Sequence, residues 1–218
     1  LFCPTAPARP SASAPLLRAL LPLLLAGVVG GAVMAPQLVG LNDTILRSLR
    51  DEPGYWWATY CRAWKRNAKA SLLPGAVFGL LLGAQIFALF HTQWGQNLVL
   101  TIVMLVGVFF LSGLALLTFT QIALLEMRFG GILRNALLLF LGYLPRAALA
   151  VLWLLLYVAA AALFFPLSVP VMLLVNFWLP VQAALQAFYP VLDKTFDLEK
   201  TIKAMRDAEL NQPDGAER

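Results

Sequence analysis

Between Ala70 and Leu125 the chain carries no Asp, Glu, Lys or Arg, and a second stretch without them runs from Ala147 to Leu192. An isolated charge at the centre of a bilayer costs about 2.5–3.5 kcal/mol on insertion scales, so uncharged runs this long belong to segments that live in lipid. One crossing takes about 20 apolar residues, and each run is long enough for a pair. The composition, 61% hydrophobic and 12% charged, lies outside the range of soluble domains and agrees.

Turn residues divide the runs. Spans are expected over Leu72–Phe90, from Leu98 to about Arg128, from about Arg146 to Phe165, and from Val171 to about Leu192. Gly130-Gly131 is read as the break after the third helix, and Pro180 and Pro190 as bends in the last. Ile132–Leu144 is apolar but too short to cross.

An earlier apolar run, Leu16–Leu38, has Arg18 at its head. A signal peptide cut after Ala35 would leave Pro36 at the new terminus and export a loop carrying Arg47, Arg50, Arg62, Lys65, Arg66 and Lys69, against the positive-inside tendency. The run is therefore read as the first span and Gly40–Lys69 as a cytoplasmic connection. Of the 16 Lys and Arg residues, all but Arg9 and Arg18 then lie in the cytoplasm when the N-terminus is outside. A four-span alternative, in which the first run dips in and returns, puts all 16 inside.

The expected fold is all-α: a polytopic membrane helical bundle, residues 16–192, of about five transmembrane helices plus a cytoplasmic-side interfacial amphipathic helix. A disordered Pro-rich tail, 1–15, precedes it, and a cytoplasmic tail, 193–218, follows.

The interfacial helix is Tyr55–Lys69. At 100° per residue Trp56, Trp57, Tyr60 and Trp64 gather on one side, while Arg62, Lys65, Arg66 and Lys69 take the other. Aromatic rings with polar edges and a basic face suit the headgroup zone, so the lipid bilayer is the first partner expected. Asn67 falls among the aromatics; its amide is satisfied either by a span or partner or by a nearby backbone carbonyl. Gly75, Gly79 and Gly83 form a row at four-residue spacing that admits another helix closely. Arg66-Asn67-Ala68 and Arg134-Asn135-Ala136 each precede a pair of spans, as a parallel duplication would produce and as chance also allows.

Catalytic and metal-binding motifs are missing from the sequence: there is no GxSxG, HExxH or P-loop, and the single histidine, His91, ends a span. No cofactor, metal or catalytic residue is expected. The positive net charge of +5 gathers beside the spans rather than in a nucleic-acid-binding module. Gln85, Asn176, Gln182 and Gln186 are the intramembrane polar residues, suited either to a solute path or to hydrogen bonds between helices.

The segment YWWATYCRAWKRNAKASLLPG, a hydrophobic hairpin, and then LRNALLLFLGYLPRAALA resemble the bacterial YesL-like membrane proteins, a domain of unknown function, over roughly Leu16–Leu198. Ala68 stands where that family usually has an aromatic. The resemblance implies a non-enzymatic protein of the bacterial inner membrane, with an accessory or assembly role in carbohydrate uptake beside ABC-transporter permease subunits. A small solute carrier and a structural scaffold are the alternatives.

Overall fold

The computed structural model describes residues 13–50, 52, 55–91, 97–125, 127–170 and 178–196. The described residues form six helices: α1 (Ser13–Leu49), α2 (Trp56–His91), α3 (Leu98–Leu124), α4 (Phe129–Gly142), α5 (Leu144–Leu163) and α6 (Trp178–Phe196). Four of them, α1, α2, α3 and α5, are long and apolar enough to cross a membrane. Only 17–22% of their most apolar windows is buried within the chain, which leaves an apolar surface suited to lipid. This is a multi-pass membrane protein. The expected fifth span keeps its part from Trp178 onward in α6; residues 171–177 lie outside the described residues, as do 1–12 and 197–218 of the two tails.

α1 and α2 pack antiparallel along a seam of small residues. A Cβ built on Gly27 would stand 2.7 Å from the Gly79 carbonyl oxygen, and one on Gly75 would stand 2.5 Å from that of Gly31. Backbones this close leave room for hydrogen only, and dispersion between two such surfaces is what joins helices in lipid. Gly75 and Gly79 thus face Gly27, Gly31 and Ala35; Gly83 meets Gly27 at ordinary contact distance.

Three expectations are corrected. α1 does not end at Leu38: it continues to Leu49, because Ala35, Val39, Asn42 and Leu46 keep one helical face buried. The connection to α2 therefore spans only Arg50–Tyr55. The aromatic and basic segment is not a separate helix but the N-terminal part of α2, continuous with its span. Gly40 explains this: a Cβ there would meet the Tyr60 ring at 3.2 Å and Trp64 Cβ at 3.3 Å, so those aromatics dock on α1 instead of turning into the interface. Lastly, the chain leaves α3 at Leu125, which is extended (φ −126°, ψ 130°), and Gly130-Gly131 sit in the first turn of α4.

The core lies where α3 meets the other helices. Phe140 of α4 sits 1% exposed, edge-on to Phe110 with centroids 5.1 Å apart, and Val151, Leu185 and Phe188 bring α5 and α6 into the same cluster. α4 is a separate short helix set off from α5 by Tyr143, whereas the other RNA tripeptide lies inside continuous α2, so the two copies occupy different settings.

Candidate functional site

The uncharged run from Ala70 to His91 is about 33 Å long as helix, the thickness of a hydrocarbon core. Trp56 lies a further 20 Å or so beyond Lys69 along the same axis. α1 accompanies it through Leu49, so the two helices form a hairpin whose end carries the charged and aromatic residues.

Its tip is aromatic. The rings of Trp56, Trp57 and Tyr60 stack mutually, each pair with centroids 5.8 Å apart. Trp57 is 65% exposed and Tyr55 88%, whereas Tyr60 is half-buried against Gly40. Arg62, Lys65, Arg66 and Lys69 are all exposed, and Trp64 is partly so.

Below the tip runs an ion-pair network that the sequence reading missed. Asp43 has its side chain 4% exposed inside α1, where it accepts from Arg47 Nε at 2.9 Å and from Arg66 Nη2 at 3.4 Å. Glu52 accepts from Arg47 Nη1 at 2.8 Å and pairs with Arg50 Nε at 3.2 Å. Arg66 also reaches the Ala123 carbonyl at the end of α3. Asp43 is thus a buried ionisable group in the part of α1 that lies beyond the expected span. Asp43 looked like loop because the apolar run stops at Leu41; the unbroken helical spacing from Ala35 to Leu46 was the signal that could have placed it.

A buried polar belt lies at the same level: Asn42, Thr44, Asn67, Ser71, Thr118, Thr120 and Gln121. Asn42 Nδ2 donates to Thr120 Oγ1 at 3.3 Å, tying α1 to α3. Asn67 Nδ2 donates to the Ala63 carbonyl at 3.1 Å, so its amide is satisfied by its own helix. Gln85 Nε2 donates to the Met104 carbonyl at 3.1 Å, an interhelical bond between α2 and α3. Gln182 is half-buried and Gln186 exposed on α6, and Asn176 falls outside the described residues. The structure does not gather the three described ones, Gln85, Gln182 and Gln186, into one site.

Asp43, Thr44, Arg47, Ser48, Glu52, Tyr55, Trp56, Thr59, Arg62 and Arg66 line a cleft of about 450 Å³ between the arms of the hairpin. Among the described residues no group of three His, Cys, Asp or Glu is placed to hold a metal ion. Compared with known proteins, the chain matches no family model, no curated protein and no solved structure.

Proposed function

We propose that this chain is a non-enzymatic accessory or assembly subunit of a transporter in the bacterial inner membrane, and that it engages the permease through the tip of the α1–α2 hairpin. The charge count supports a cytoplasmic tip and an external N-terminus, and the YesL-like resemblance supports carbohydrate uptake by an ABC transporter as the setting. The observation that carries the reading is the exposed stack of Trp56, Trp57 and Tyr60 at the end of the α1–α2 hairpin. Large planar side chains held in place lose little entropy on docking, which is why tryptophan and tyrosine dominate binding hot spots. The hydrogen bond from Gln85 to the Met104 carbonyl supports a packing role for that residue and favours this reading over that of a carrier.

The test is Trp57→Ala, whose exposed ring makes it harmless to folding. Loss of a hot-spot tryptophan costs about 2 kcal/mol or more, about thirtyfold in affinity, so the permease should no longer co-purify in mild detergent and sugar uptake should fall. Unchanged uptake and co-purification from a stably inserted variant would refute the proposal.

A further inference from the structure

We infer that the cleft between the two arms of the hairpin binds a phosphate group. Both carboxylates in its wall are already engaged, Asp43 by Arg47 and Arg66, and Glu52 by Arg47 and Arg50. Among the described lining residues, what remains is positive. Arg62 has no carboxylate partner among the described residues, and the Arg66 side chain is 46% exposed with its fork only partly used. Arg62 and Arg66, one turn apart on α2, stand about 5–6 Å apart at their Cβ atoms. Two guanidinium forks at that spacing grip two edges of a tetrahedral phosphate, whereas a carboxylate offers one edge only. Ser48 and Thr59 add hydroxyl donors, Trp56 supplies an apolar wall for the esterified alcohol, and the first turn of α2, which also opens on the cleft, contains no acidic residue to offset its positive end.

A phosphate can arrive as the headgroup of a lipid, through the floor of the cleft near Arg66, or as a soluble phosphoester through its mouth. The two sources are separated by titrating the purified full chain, in phosphate-free maltoside micelles, with dioctanoyl-phosphatidylglycerol and, separately, with glycerol 3-phosphate, following tryptophan fluorescence. Dioctanoylglycerol, which has the same tails and no phosphate, is the control. A saturable change with at least one phosphate probe and none with the control is expected, and the probe that binds names the source. Arg62→Gln should weaken it about tenfold, the worth of one charge-assisted contact. Lys65→Gln removes the same charge from an exposed position outside the cleft wall and should change it less than twofold. No saturable response to either probe, an Arg62→Gln protein that binds like the parent, or equal losses in the two variants would overturn the inference. Neither arm contains a permease, so the outcome is independent of the docking reading.

Discussion

Gly79→Ala tests the seam on which the hairpin depends. The added methyl would meet the Gly27 carbonyl oxygen and stand 2.8 Å from Gly31 Cα. Carbon atoms rest about 3.5–4.0 Å apart, so α1 must retreat by about 1 Å. A gap of that size forfeits about a third of each dispersion well, and with about 40 atom pairs at 0.15 kcal/mol along the seam the loss is about 2 kcal/mol. Alanine recovers up to about 1 kcal/mol through its better helix propensity, which obscures the effect in a single variant. Gly30→Ala removes that ambiguity, because nothing lies within 4 Å of a Cβ there and it collects the propensity gain alone. The two variants should therefore differ by about 2 kcal/mol, or about 4–8 °C in melting temperature for a chain of this length. Fluorescence-detected melts in maltoside micelles read the difference. A Gly79→Ala protein that melts at or above Gly30→Ala would show that the close approach does not hold the hairpin together.

Asp43→Ala strips two arginines of a buried acceptor and should destabilise by about 2 kcal/mol, a value kept low because Arg47 and Arg66 remain partly solvated; a melt equal to the parent's would count against the network. Gln85→Leu should cost under about 1 kcal/mol, since interhelical hydrogen bonds in membranes average about 0.6 kcal/mol. Loss of transport with stability intact in that variant would instead restore the solute-path reading. Single cysteines placed in the 92–96 turn should react with an impermeant maleimide from outside the cell, and reaction only after lysis would reverse the proposed orientation.

The membrane character and the all-helical fold could be read from the sequence, because each follows from whether a run of residues tolerates lipid, a property local to that run. The small-residue row at Gly75, Gly79 and Gly83 was also legible, but its counterpart at Gly27 and Gly31 was not, since the partner of a packing face is fixed by antiparallel register rather than by any nearby residue. The same limit explains the hairpin. Composition ends α1 near Leu38, yet the helix continues because Asn42 finds Thr120 and Asp43 finds Arg66, residues far along the chain that make a buried polar turn affordable. The amphipathic pattern of Tyr55–Lys69 fits a helix lying on lipid as well as one standing beside α1; only the space left by Gly40 decides for the second, by taking Tyr60 and Trp64. Periodicity determined which faces of each helix are apolar, and the tertiary structure decided which of those faces meet protein.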